Sequence, residues 1–262
     1  DDVCAIIDFW REKGVDGFRL DVINYISKTS LEDGNETLGG LLGFEGIEHY
    51  FYGKRLHEFL KELRSRAFGD AFTVGETPGT GPAMNQLLTA DERGELNTVF
   101  SFDHLENQGK SRYDNYRYNL NHLKRCFIGY EGAYADVAWP SIFVENHDNP
   151  RMVSKIDPRE EYRLAIAKLL AVLLLTARGT VFLYQGQELG AVNVPFAGIG
   201  DLRDIESLNK YKGLVASGVS PQAAFQTVVN GTRDHARTPM QWTSGRYGGF
   251  SEPEPWICVG DK

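Results

Sequence analysis

The chain has 262 residues, of which 42% are hydrophobic and 24% charged, with a net charge of −8 and an isoelectric point near 5.3. That is ordinary for a globular chain and long enough for one large α/β domain or two small ones. The acidic balance with no basic run excludes a usual nucleic-acid footprint, and the longest apolar tract, Leu164 to Ala177, carries Lys168 and is too short to span a bilayer, so no membrane is expected as a partner.

Val3, Ile6, Ile7 and Trp10 recur at helical spacing behind an acidic start, which predicts an amphipathic helix over residues 3–13 that stops at Lys13-Gly14. Gly14 to Val22 then reads as a strand, in which the period of two sends Arg19 and Asp21 to one face. A permanent cation beside a carboxylate favours the ionised acid. Taken alone, such a pair more often only ties down a strand end. Residues 29–46 are polar and glycine-rich without a period, the mark of a long functional loop.

Leu56, Phe59, Leu60 and Leu63 predict a helix over 54–67, followed by a strand from Ala71 that ends at Glu76. A helix over 82–88, a strand over 98–102 ending at Asp103-His104, and a helix over about 116–127 come next. Pro140 to Glu145 reads as a strand opening onto Asn146-His147-Asp148-Asn149-Pro150-Arg151. A core helix over 159–177 leads to a strand over 180–184, and residues 188–241 read as loop-rich, with short helices at 204–212 and 221–229. Five alternations of strand and helix predict an α/β fold with a parallel sheet.

In parallel α/β folds the loops at the carboxyl ends of the strands build the site. Asp21, Glu76 and Asp148 all have that address. Hydrolysis of a glycosidic bond requires two carboxyls of unlike environment, one ionised and one protonated. Asp21 beside Arg19 suits the first part, and Glu76, behind an apolar strand with no adjacent cation in sequence, suits the second. The three cysteines, Cys4, Cys126 and Cys258, are far apart and in no CxxC pairing, and the six histidines lack HExxH spacing, so neither a disulfide framework nor a metal site is expected.

The segments GFRLDVINYISK, TVGETPG, FVENHDNPR and RDHARTPMQW resemble, in order, signature regions of the α-amylase superfamily of glycoside hydrolases, and most closely its oligo-1,6-glucosidase and α-glucosidase branch. The resemblance implies Asp21 as nucleophile, Glu76 as general acid/base and Asp148 as the carboxylate that binds sugar hydroxyls and stabilises the transition state. It implies that Arg19, His147 and Arg233 hold the transferred glucose, that Val22 marks a preference for α-1,6 bonds, and that the partner is an oligosaccharide. The implied activity is a retaining double displacement. Trehalose-6-phosphate hydrolases, sucrose isomerases and transglucosylases share these motifs, and a catalytically dead binding subunit is the non-enzyme alternative.

The implied fold is part of a TIM (β/α)8 barrel, roughly strands 4 to 8: residues 1–190 form the C-terminal part of the barrel and residues 191–262 a loop-rich excursion of the same domain over the active-site face. No cofactor is expected in this segment, and any calcium loop of the family would fall in a part preceding Asp1. The segment alone is expected to be inactive, because an open piece of barrel leaves strand edges and apolar helix faces uncovered. A cytoplasmic location is expected. Trp139, Trp242 and Tyr184 are candidates for sugar stacking or for packing, and Asp103 and His104 for the cleft or the core.

Overall fold

The computed structural model describes residues 1–260. In chain order the main elements are α1 (Asp2–Glu12), β1 (Gly17–Leu20), α2 (Glu36–Leu42), α3 (Ile47–Tyr50), α4 (Leu56–Leu63), β2 (Phe72–Glu76), α5 (Pro82–Thr89), β3 (Thr98–Phe100), α6 (Leu120–Tyr134), β4 (Ser141–Ile142), α7 (Met152–Ile156), α8 (Glu160–Thr176), β5 (Thr180–Val181), α9 (Ile205–Ala216) and α10 (Pro221–Gly231). The alternation expected of an α/β fold is present. The chain divides into two compact units: residues 1–103, 127–141 and 178–180 form one, and residues 104–126, 142–177 and those from Val181 onward form the other.

In the first unit β1, β2 and β3 form a parallel sheet in that order, with Arg19 opposite Val74 and Glu76 opposite Phe100. Side chains alternate between the two faces of β1. Phe18 and Leu20 pack against a core of Cys4, Ile7, Ala67 and Phe68, drawn from α1 and the turn after α4. Arg19 therefore points to the other face. Ile23, Leu56, Leu60, Leu88, Leu96 and Val99 make a second core that presses α4 and α5 against the sheet. Leu56 and Leu60 are fully enclosed, each contributing about 1.5–3 kcal/mol by burial.

In the second unit α9 and α10 enclose Leu202, Val228 and Ile257 with Val194 and Phe196, and Leu208, Tyr211, Leu214 and Phe225 pack around them. The two short helices expected at 204–212 and 221–229 are thus present, and they share a core of their own. Asp204 caps α9, and Ser220 with Pro221 behind it opens α10.

Several element boundaries differ from expectation. The strands expected over 98–102, 140–145 and 180–184 shrink to β3, β4 and β5, and the described strands fall into two sheets, β1-β2-β3 and β4-β5. Between β3 and β4 the Thr98 hydroxyl donates to the Trp139 carbonyl at 2.9 Å and meets the Ser141 hydroxyl at 2.8 Å, so side chains stand where ladder bonds would. The loop expected over 29–46 contains α2, capped by Asn35, whose side chain accepts from the Leu38 amide at 2.9 Å. The helix expected from about Tyr116 begins only at Leu120, because the Tyr118 amide is drawn to the Lys155 carbonyl at 2.9 Å. The core helix expected over 159–177 buries only a stripe of Ile166, Leu170 and Leu174 and leaves Leu164, Val172 and Leu175 exposed, since one helix face is all a single neighbouring layer covers. No helix among the described residues is long and apolar enough to cross a membrane.

Gly53 marks a point where two segments of the first unit nearly touch: a Cβ there would stand 2.0 Å from the Ser27 carbonyl oxygen. Gly53→Ala is expected to destabilise by about 1–3 kcal/mol through this overlap, measured as a lower urea midpoint. An unchanged midpoint would show that the two segments part freely.

Candidate active site

β1 ends at Leu20, and the chain turns sharply at Asp21 because Val22 adopts φ 37° and ψ 44°. A β-branched residue in the left-handed region is a strained position that its surroundings must enforce. The Val22 amide faces the Glu76 carboxylate, 3.3 Å from Oε2, and Asn24, two residues on, donates to the Pro78 carbonyl at 3.0 Å. The turn after β1 is thus pinned to the loop after β2. Asp21 lies on this turn rather than on the strand, a correction to the strand expected as far as Val22.

Arg19 still reaches it. One guanidinium nitrogen of Arg19 donates to Asp21 Oδ1 and the other to Glu76 Oε2, the latter at 2.5 Å. The two carboxyls differ sharply in exposure, the Asp21 side chain being 75% exposed and that of Glu76 10%. Burial, and a hydrogen bond that the protonated Glu76 donates to Asp21, push the Glu76 carboxyl above its ordinary value, against the lowering pull of Arg19. Chemically the arrangement holds one acid that water solvates and one that prefers its proton, side by side.

The second unit brings together His147, Asp148 and Arg233. His147 Nε2 lies 3.2 Å from Asp148 Oδ2, while Arg233 Nη1 and Arg237 Nη2 approach Asp148 Oδ1 at 3.4 and 3.1 Å. Arg237 also donates from Nε to the His147 carbonyl at 3.0 Å, and Arg112 donates to the Asp148 carbonyl at 2.7 Å. Asp204 competes for Arg233, its Oδ1 accepting from Nε and Nη2 at 2.9 and 2.5 Å. Burial alone would raise the Asp204 carboxyl, but Arg233 and the Ser207 hydroxyl hold it at about 2. Asp204 therefore stays ionised and fixes Arg233.

Sequence patterns alone do not single out Arg112, Asp204 or Arg237 as site residues. Arg237 had a signal, since it closes the RDHAR segment four residues after Arg233. Asp204 had only its place before a helix, and its link to Arg233 is long-range. Within RDHAR the other two residues are structural. Asp234 accepts from the Arg203 and Asp204 amides at 2.6 and 3.0 Å. His235 Nδ1 accepts from the Val194 amide at 3.1 Å, and Nε2 meets the Val229 carbonyl at 2.7 Å.

The remaining candidates divide. His104 is buried against Phe143 with its ring held neutral, so it belongs to the core, whereas Asp103 accepts from the Ser101 hydroxyl at 3.2 Å. Tyr184 is tied by its hydroxyl to the Ala236 carbonyl at 2.9 Å. Trp139 stacks with Arg178 and donates to the Thr180 hydroxyl, and Trp242 is largely exposed. No group of three or more potential metal ligands occurs among the described residues.

Burial lowers the His235 ring to about 4 from its usual 6.5. The unfolded chain then binds this proton before the folded one does, so stability falls as pH drops from about 6.5 towards 4. Urea unfolding across that window is expected to show a shallower pH slope for His235→Gln than for the unsubstituted protein. Equal slopes would contradict a neutral buried ring.

A model of the α-amylase catalytic domain matches residues 1–262. The oligo-1,6-glucosidase of Parageobacillus thermoglucosidasius is 42% identical over 264 residues, covering 98% of this chain and 47% of that protein. Among solved structures, the trehalose-6-phosphate hydrolase of Bacillus licheniformis superposes with a TM-score of 0.87 at 36% identity, and the isomaltulose synthase of Klebsiella sp. LX3 with 0.89 at 31%; each alignment covers 99% of this chain and 47% of the other. The chain spans about half the length of these relatives. With the family model matched from end to end, and a relative well above 30% identity aligned along nearly the whole chain, the chain belongs to the α-amylase catalytic-domain family.

Proposed function

We propose that the protein carrying this chain is a retaining α-glucosidase that releases terminal α-1,6-linked glucose from oligosaccharides, with Asp21 as nucleophile, Glu76 as general acid/base and Asp148 as the carboxylate that grips sugar hydroxyls. The observation that carries this reading is the Arg19 guanidinium shared by an exposed Asp21 and a buried Glu76 whose carboxyl is raised. In the first step Asp21 attacks the anomeric carbon, the glycosidic bond breaks, and Glu76 gives its proton to the departing oxygen. In the second, the now ionised Glu76 takes a proton from water, which attacks the same carbon and frees Asp21. Two inversions return the α-configuration. Arg19, His147 and Arg233 would supply donors to the sugar hydroxyls.

The lean to α-1,6 bonds rests on Val22 and on the oligo-1,6-glucosidase relative. The likeness to a trehalose-6-phosphate hydrolase and an isomaltulose synthase favours, as a second reading, cleavage of a phosphorylated disaccharide or glucosyl transfer. For the architecture, relatives twice as long support reading the chain as roughly strands 4 to 8 of a (β/α)8 barrel, with residues 191–262 an excursion of the same domain. On that reading the 262-residue segment alone is inactive, and near full-length turnover of an aryl α-glucoside by it would refute this. A cytoplasmic location is part of the same proposal; it is in keeping with three cysteines that stand far apart in the sequence and in no CxxC pairing.

Two experiments test the activity. Turnover of isomaltose is expected to exceed that of maltose and of trehalose 6-phosphate, with α-glucose the first anomer seen by NMR; β-glucose first would remove Asp21 from the nucleophile's role. Glu76→Gln is expected to lower kcat on isomaltose by about 10²–10⁴-fold and to abolish the alkaline limb of the pH profile. Because the carboxyl is raised, that limb in the unsubstituted enzyme should lie above the ordinary carboxylate range.

A further inference from the structure

The loop that carries Asp148 is closed from behind by a buried ion pair. Glu145 lies three residues before Asp148 and Arg151 three after, with side chains only 1% and 3% exposed and Arg151 Nη1 3.0 Å from Glu145 Oε2. Burying such a pair is costly, and apolar residues of similar size would fill the space at equal or better stability. What apolar residues would not supply is the set of bonds Arg151 makes to other loops. Its Nη1 also donates to the Gln185 carbonyl at 2.9 Å, its Nε to the His235 carbonyl at 3.3 Å, and its amide to Asn193 Oδ1 at 2.8 Å. Glu145 completes the arrangement by accepting from the Met152 amide at 2.9 Å.

His235 stands midway between Arg233 and Arg237, the two arginines that converge on Asp148 Oδ1. A closed circuit results. It runs from Asp148 along the loop to Arg151, across to the His235 carbonyl, along a short 3₁₀ turn, Arg233–Ala236, to Arg237, and back to Asp148 and the His147 carbonyl. Moving Arg151 would therefore shift the segment that aims both arginines.

We infer that Arg151, held by Glu145, is a positioning residue: without touching substrate, it sets where Arg233 and Arg237 stand relative to Asp148. Its importance for catalysis rests on the reading of Asp148 and Arg233 as sugar-binding groups. The planar guanidinium matters more than the charge, because two carbonyls from different loops and one carboxylate share its fork. A lysine offers a point charge on a flexible stem and cannot reproduce that geometry.

Arg151→Lys in the full protein is the direct test. It keeps a cation against Glu145, so the melting temperature should stay within a few degrees. The kcat on isomaltose should nevertheless fall about 10- to 100-fold, with a smaller rise in KM, since small misplacements of positioning groups act mainly on the transition state. A crystal structure of the same variant should show Arg237 or Arg233 withdrawn from Asp148 Oδ1. Unchanged kcat, or unchanged arginine positions, would overturn the inference. Should the lysine variant not fold, the Glu145→Leu, Arg151→Met double variant removes both buried charges; a folded double variant with full kcat would equally overturn it. If the unsubstituted enzyme turns over none of the glucosides, the functional reading fails, while the arginine positions in the variant still decide the positioning role.

Discussion

One guanidinium holding two carboxylates is the constraint on which the first unit's chemistry depends. Asp21 and Glu76 come from the ends of neighbouring parallel strands, and without Arg19 their charges would repel at short range. The cation admits both groups, but it does not make them equal. Glu76 lies at the end of the central strand of its sheet, while Asp21 sits on an open turn, so desolvation acts on one acid and spares the other. The strained backbone at Val22 belongs to the same device, for it turns the chain so that its amide meets Glu76.

The second unit solves a related problem with more cations. Asp148 receives Arg233 and Arg237 on one oxygen and His147 on the other, an arrangement that fixes the orientation of the carboxylate. Arg233 is in turn shared with Asp204, which is why a residue remote in sequence bears on the group that meets Asp148. Behind this layer the Glu145–Arg151 pair fastens the loops together. The charges are thus arranged in tiers: Arg233, beside Asp148, is held by the buried Asp204, and a second buried pair lies behind the loop.

Much of this was legible in the sequence because it depends on local rules. The helical spacing of Val3, Ile6, Ile7 and Trp10 gave α1, and the apolar run closed by Glu76 gave β2. The same rules failed where a distant group intervened. Tyr118 lies outside α6 because its amide bonds to Lys155, and β4 is only Ser141–Ile142, shorter than its apolar run. Asn35 was readable as a helix cap, yet the glycines around it masked the helix it opens.

The sequence by itself determined the order of the elements, the placing of Glu76 at the end of β2 and of Asp21 just after β1, and the proximity of Arg19 to Asp21, since these follow from side-chain periodicity over a few residues; Asp148, expected at a strand end, stands six residues beyond β4. Only the tertiary structure decided that Arg19 reaches Glu76 as well, that Asp204 holds Arg233, that Arg237 meets Asp148, and that His235 and Asp234 are scaffold. The Arg19–Glu76, Asp204–Arg233 and Arg237–Asp148 pairings each span tens of residues along the chain, and the difference in burial that separates Glu76 from Asp21 arises only when the sheet and its helices have packed.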